Sequence, residues 1–410
     1  MKHWGYLNLL AKRILLVLST LFVVVSCDSP AEMDNAKRKE QGPSDVAVKL
    51  AQDTLIVDTH IDVPYRLNKG WEDVSQATAT GDFDYPRAVA GGLNVPFMSI
   101  YVPASYQDGR AYDFGNKMID LVERLAEESP DKFAIATSVS DVKTQFAQNL
   151  ISLPMGMENG APIEGDMDKL KHFYDRGIRY ITLTHSKANH ISDSSYDKER
   201  PNQGLSEFGK ELITEMNNLG IMIDVSHISD QAFYQVMELT QVPVIASHSS
   251  LRYFTPGMER NMSDDMLRAL KDNGGVIGIN FGSSFLTREA YQWGQARNEW
   301  IGDAENVAEK RAEYRKLNPY PFAHMTNVLD HIDHAVKVVG IDYVGIGSDY
   351  DGVGDSLPTR LKDASTFPFL IQGLMDRGYS EADIKKILNE NMLRVWQAVE
   401  DYADTKKSTM

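Results

Sequence analysis

LIVDTHID, residues 55–62, is a short apolar, β-branched run that ends in a histidine and a carboxylate two positions apart. Residues two apart on a strand face the same side. His60 and Asp62 can therefore reach one ion together. Alone the pair is a weak signal, because a His capping a loop and an Asp capping a helix read the same way. Recurrence decides the fold. ISLPMGMEN (151–159) carries Glu158, RYITLTH (179–185) ends at His185, and IMIDVSH (221–227) ends at His227. VPVIASH (242–248) ends at His248, and VGIGSDYDG (344–352) carries Asp349. Core packing explains one stray histidine but not the same placement six times. Polar ligands at the carboxyl ends of successive parallel strands describe a barrel active site.

The stretches between these runs support that reading. GGLNVPFMSIYV (91–102) and GGVIGINF (274–281) supply two more strands. AYDFGNKMIDLVERLAEE (111–128), MDKLKHFYDRG (167–177), SEFGKELITEMNNLG (206–220), SDQAFYQVMELTQ (229–241) and MSDDMLRALKDNGG (262–275) have helical spacing, several with a Ser start or Gly stop. Eight βα units count to one α/β TIM (β/α)8 barrel, with an insertion between strands 7 and 8. Within the insertion, 283–321 is charged and carries Trp293 and Trp300. It is read as helical, covering the barrel mouth or making a subunit contact in a homodimer, with a plain solvated insertion as the alternative. EADIKKILNENMLRVWQAVEDY (381–402) reads as one or two helices on the barrel wall.

The ends are of another kind. Lys2, Lys12 and Arg13 precede an apolar run, 14–25, that is short for a bilayer span. Cys27, the single cysteine, follows it in VVSC. Residues 1–27 read as a bacterial lipoprotein signal, with Cys27 lipidated and the protein held at the cell-envelope membrane. An uncleaved anchor or an ordinary signal is the alternative. Residues 28–44 read as a flexible tether, 45–404 as the folded barrel and 405–410 as a disordered tail. The formal charge is -16, and losing the three signal cations makes it -19. With no basic stripe, nucleic acid is not an expected partner. With no other thiol, a metal site here must use imidazoles and carboxylates.

Chemistry then assigns roles. His227 and His248 end adjacent strands and suit zinc. Glu158 is costly to bury unless paired or metal-bound, and its two oxygens can bridge two ions. The division is His60, Asp62 and Glu158 for one ion, and Glu158, His227 and His248 for the other. Two such ions can share a hydroxide and polarise a carbonyl. Asp349, beside the first strand, suits the general base and acid role, with a ligand role as the alternative. His185 exceeds what two ions need and suits substrate or oxyanion binding. Arg260 could pair with a substrate carboxylate, although a surface arginine is the default. His331 and His334 lie on a helix outside the barrel and are assigned to packing and surface. His172 and His324 are read alike, and His190 is a candidate for the mouth.

At this point the chain resembles the renal (membrane) dipeptidase family of zinc metallopeptidases. The likeness rests on MENGAPIEGDMDKLKHFYDRGIRYITLTH, with VDTHID, GKELITEMNNLGIMIDVSH, ASHSS, RNMSDDML, GIGSDYDGV and ENMLRVW, running in order from about residue 55 to 396. It implies a TIM barrel with two Zn2+ held by His60, Asp62, bridging Glu158, His227 and His248. It also implies His185 and Arg260 in substrate binding, Asp349 in proton transfer, and dipeptides as substrates. Asn159 departs from the glycine more usual after the Glu, and the cysteines of mammalian members are absent. Two other readings stand beside this one: a different barrel amidohydrolase acting on cyclic amides or esters, and a catalytically inactive binding lipoprotein. His185 standing where many such amidohydrolases place a carbamylated lysine argues against the first. The intact ligand set argues against the second.

Overall fold

The computed structural model describes residues 42–409. The signal, Cys27 and most of the tether fall outside the described residues. Among the described residues no helix is long and apolar enough to cross a membrane.

The described residues form ten strands: β1 (Val57–Ile61), β2 (Val95–Tyr101), β3 (Phe133–Ile135), β4 (Ile151–Leu153), β5 (Met155–Glu158), β6 (Ile178–Thr182), β7 (Met222–Asp224), β8 (Ile245–Ser249), β9 (Val276–Ile279) and β10 (Val344–Ile346). Eight make one parallel sheet in the order β1-β2-β5-β6-β7-β8-β9-β10. A parallel bridge from Ile61 to Tyr350 brings the last strand end back to the first. There the Asp349 N–H donates to the His60 carbonyl at 3.0 Å and the Asp62 N–H to the Tyr350 carbonyl at 2.8 Å. This is the expected (β/α)8 barrel, and its last strand does neighbour its first. The barrel strands are buried almost throughout. That explains why they read as continuous apolar runs rather than alternating ones.

The helices start and stop where the sequence marks them. The Ser206, Ser229 and Ser263 hydroxyls accept from the backbone N–H of Gly209, Ala232 and Met266. Such caps satisfy N–H groups that a helix leaves unpaired. The last long helix (Asn391–Thr409) closes the end of the barrel away from the strand-end ligands. Its Met392, Val395, Trp396 and Val399 form one cluster with Val57, Val95, Phe97, Tyr180, Met222, Ile245 and Val276 from the barrel. Trp396 is fully buried, 5.2 Å from the Phe97 ring centre. Replacing Trp396 with Ala should cost about 3–5 kcal/mol, read as a lower denaturant midpoint. A cost below about 1 kcal/mol would show that this plug adds little.

The structure corrects two expectations, the single strand over 151–159 and the disordered tail, and adds elements in two further stretches. Residues 151–159 are two strands: β4 pairs with β3 in a small separate sheet, and β5 enters the barrel after Pro154. The Pro has no N–H for a ladder and marks the break. The loop after β1 contains helices Val63–Lys69 and Tyr85–Gly91, each with Pro in its first turn. Residues 129–150 hold β3 and the helix Val139–Ala147. The tail expected to be disordered from residue 405 continues the last helix to Thr409, with Lys406 and Lys407 in its final turn, where cations favour a helix end. The insertion holds helices Arg288–Ile301 and Val307–Leu317.

Candidate metal centre and active site

The carboxyl ends of the barrel strands bring His60, Asp62, Glu158, His185, His227, His248 and Asp349 together. Glu158, last residue of β5, sits at the middle. Its Oε1 lies 3.1 Å from His227 Nε2, 3.3 Å from His248 Nε2 and 3.6 Å from His185 Nε2. Its Oε2 lies 3.4 Å from His60 Nε2 and accepts from the Ser99 hydroxyl at 3.2 Å. His60 Nε2 is also 3.4 Å from Asp62 Oδ2. Three sets place one donor atom per residue within 4.8 Å of one another: His60, Glu158 and His248; Glu158, His185 and His227; His60, Asp62 and Asp349. Glu158 and His60 each belong to two of them.

These residues fit a metal centre by their unused valences. The His60 Nε2 and Asp62 Oδ1 atoms are buried without a hydrogen-bond partner. Asp62 occupies the N-cap position of the following helix but caps nothing. The Nε2 atoms of His227 and His248 lie 2.9 Å apart, aimed at the same point beside Glu158. Burial is the main cause that holds both imidazoles well below their ordinary pKa. Neutral imidazoles with converging lone pairs are metal ligands in waiting. Burial also disfavours a charged His60, but Tyr180, Glu158 and Asp62 outweigh it and raise the group. Burial works against the Glu158 carboxylate as well, yet the surrounding imidazoles hold it well below its ordinary value.

Behind the ligands stand residues that sequence reading passed over. The Tyr180 hydroxyl lies 2.9 Å from His60 Nδ1. Gly156 makes room for it, since a Cβ there would sit 1.9 Å from the Tyr180 ring. Asp224 accepts from Thr182 Oγ1 at 2.5 Å and from Ser247 Oγ at 2.6 Å, and Ser247 Oγ is 2.7 Å from His248 Nδ1. Asp58 accepts from the Ser348 N–H at 2.8 Å, and burial pushes its carboxyl up to about 6. An acid inside an apolar strand was the available signal for Asp58 and Asp224, because it is costly to bury without a task. Contacts of this kind orient ligand imidazoles, and losing one typically costs 10–100-fold in metal affinity. Tyr180→Phe should thus weaken metal binding by about that factor, measured by competition with a chelator. Unchanged affinity would remove Tyr180 from this role.

The remaining candidates separate by position. His185 is partly exposed, lines the cavity and has an unpartnered buried Nδ1. Asp349 lines the same cavity, and its Oδ2 accepts from Asn280 Nδ2 at 2.7 Å. Burial first, then the charges of Asp62 and Glu158, raise its carboxyl well above the usual range. Arg260 stands behind the cavity wall rather than among its lining residues. Its Nη1 donates to Ser249 Oγ and its Nη2 to the His248 carbonyl, both at 2.7 Å, while its buried Nε has no partner. Asn159 keeps the backbone that a glycine would allow, at φ 76°, and anchors it by donating to the Val102 carbonyl at 2.8 Å. His227 and Asp349 share the left-handed region, at φ 70° and 63°, a strain typical of functional sites. His331 is structural: its Nδ1 accepts from the Leu251 N–H, and its Nε2 is 3.0 Å from the Leu286 carbonyl. His334 pairs with Asp264 and His172 with Asn116. His190 packs on Phe208, and burial takes its imidazole down to about 4.

A parallel barrel whose strand ends gather four imidazoles and three carboxylates has the donor set of a metal-dependent hydrolase. More narrowly, residues 44–410 match the model of the membrane dipeptidase family, peptidase family M19, and the chain belongs to that family. Dipeptidase 3 of Mus musculus is 32% identical over 364 residues, 86% of this chain and 66% of that protein. An uncharacterized dipeptidase of Schizosaccharomyces pombe is 31% identical over 366 residues, 84% of this chain and 81% of its own. Among solved structures, the probable dipeptidase PvdM from Pseudomonas aeruginosa superposes with a TM-score of 0.77 at 28% identity, over 87% of this chain and 98% of that one. A metallo peptidase from Rhodobacter sphaeroides, liganded with a phosphinate mimic of the dipeptide L-Ala-D-Ala, gives 0.71 at 25%, over 84% and 99%.

Proposed function

We propose that this chain hydrolyses the peptide bond of dipeptides at a centre of two Zn2+ ions. The observation that carries this is the Glu158 carboxylate, buried at 3.1–3.6 Å from four imidazoles at the open end of the barrel. His60, Asp62 and Glu158 would hold one ion, and Glu158, His227 and His248 the other. When bound, such a pair supplies an activated water and polarises the scissile carbonyl. Asp349 takes the proton of the attacking water and passes it to the leaving amine. His185, at the cavity surface, steadies the oxygen on which negative charge develops. Arg260, which stands behind the cavity wall with Nη1 on Ser249 and Nη2 on the His248 carbonyl, would have to turn toward the cavity to offer its remaining N–H groups to a substrate carboxylate.

The cavity, about 780 Å3, is ample for a dipeptide. The Rhodobacter neighbour's ligand makes L,D pairs a fair part of any substrate panel. The test uses purified protein loaded with zinc, a set of L,L and L,D dipeptides and their C-terminal amides. Two metals per chain, with hydrolysis of the free dipeptides and not the amides, is the expected result. Fewer than two metals and no hydrolysis would overturn the reading in favour of a binding protein. The proposal includes lipid on Cys27 and a place at the cell envelope, tested by fatty-acid labelling of the native chain against Cys27→Ser.

A further inference from the structure

The floor of the cavity is acidic, but its rim is not. Lys69, from the helix after β1, and Arg297 and Arg311, from the two insertion helices, all line it. No ion pair joins any of the three to an acid among the described residues. Nearby arginines differ: Arg66 is 3.2 Å from Asp351, Arg315 is 2.6 Å from Asp355, and Arg200 is 2.6 Å from Glu259. The acids that share the cavity with the rim are Asp62, Glu158, Asp349 and Asp351. Three of these face the metal centre, and Asp351 is taken by Arg66. Nothing inside the cavity neutralises the rim. Arg297 is disfavoured as a cation by burial and then by the charges of Arg311 and Arg315. Arg297 donates to Asn298 Oδ1 and Lys69 lies over the Tyr65 ring, but neither partner carries charge. Like charges held near one another without a counter-ion are a cost that a bound anion would relieve.

The space beyond the metal centre matches. A second cavity, about 320 Å3, shares Tyr196, Ser284, Arg297, Val353 and Ser356 with the first. Its outer wall includes Tyr291, Trp293 and Tyr320. Arg297 stands at the junction, its guanidinium carbon 5.5 Å from the Trp293 ring centre. A side chain extending from the scissile bond toward the insertion therefore meets cations with aromatic backing. The overall charge of -16 repels anions at long range. Screening over about 8 Å at physiological salt leaves the local rim in control.

We infer that Arg297 and Arg311, helped by Lys69, form a subsite for a carboxylate carried on the substrate's side chain. The substrate class is then dipeptides containing an aspartate- or glutamate-like residue. This rests on the dipeptidase reading above. Guanidinium forks suit a carboxylate, and the corresponding carboxamide offers the same shape without the charge.

The test compares kcat/KM of the zinc-loaded enzyme on matched pairs, Ala-Glu with Ala-Gln and Glu-Ala with Gln-Ala. The acid in at least one pair should be preferred roughly tenfold, the size of one partly screened charge-assisted hydrogen bond, and mainly through KM. Arg297→Gln with Arg311→Gln should bring that ratio close to one. Arg297→Lys with Arg311→Lys should keep part of it, and added salt should shrink it in the unaltered enzyme. An unaltered enzyme that hydrolyses both members equally overturns the subsite alone. So does a double Gln variant that slows both members by the same factor. No hydrolysis of any member overturns the subsite and the dipeptidase reading together.

Discussion

Glu158→Gln should lower kcat/KM on any dipeptide substrate by at least about 10³-fold and leave fewer than two metal ions per chain after dialysis. Glutamine keeps the shape and volume of the side chain, so packing against Ser99 and the barrel wall survives. It loses the charge, and one of its two ends becomes an N–H donor. Both ends of the native carboxylate face imidazole nitrogens, Oε1 toward His185, His227 and His248 and Oε2 toward His60. The amide therefore satisfies neither metal position as a shared anion. Charge stabilisation by a metal pair amounts to several kcal/mol, and about 4 kcal/mol corresponds to 10³ in rate. Metal content by elemental analysis and activity on the same samples check the claim. A variant that keeps two metals and a tenth of the activity would show that Glu158 does not join the ions.

The barrel was legible because each strand is buried on both faces and each functional side chain sits where burial ends. Chain order alone therefore revealed the positions of Glu158, His227 and His248. The small sheet of β3 and β4 was not legible, because three-residue strands carry no usable period. The helical tail was missed because its stability comes from the packed turns before it, around Val395, Trp396 and Val399, rather than from residues 405–409 themselves. Inside the site, Tyr180 was hidden by its own apolar run, since a phenol in a strand reads as core until its hydroxyl is seen 2.9 Å from His60. Arg260 shows the opposite limit. Its place in the chain suggested a carboxylate partner, but only coordinates reveal that two of its nitrogens are already tied to the end of β8. The rim cations Arg297 and Arg311 lie in an insertion that pattern reading could describe only as charged and helical.

Asp349→Asn should reduce kcat by about 10²–10⁴-fold, the usual contribution of a positioned acid–base group, with both metals retained. The substitution is unusually clean here. Asp349 has φ 63°, a left-handed conformation that asparagine tolerates well. Its backbone N–H to the His60 carbonyl is unaffected, and an asparagine oxygen can still accept from Asn280 Nδ2. What disappears is a group able to take up and release a proton. The competing role is visible in the geometry, because Asp349 joins His60 and Asp62 in one set of possible ligands. The two roles give different results. A proton carrier lowers kcat and leaves metal affinity and KM nearly unchanged. A ligand takes metal with it, and activity then recovers as zinc is raised. Metal titration of the variant, run beside its kinetics at saturating zinc, therefore decides between them. Activity within tenfold of the native enzyme at full metal loading would remove Asp349 from proton transfer.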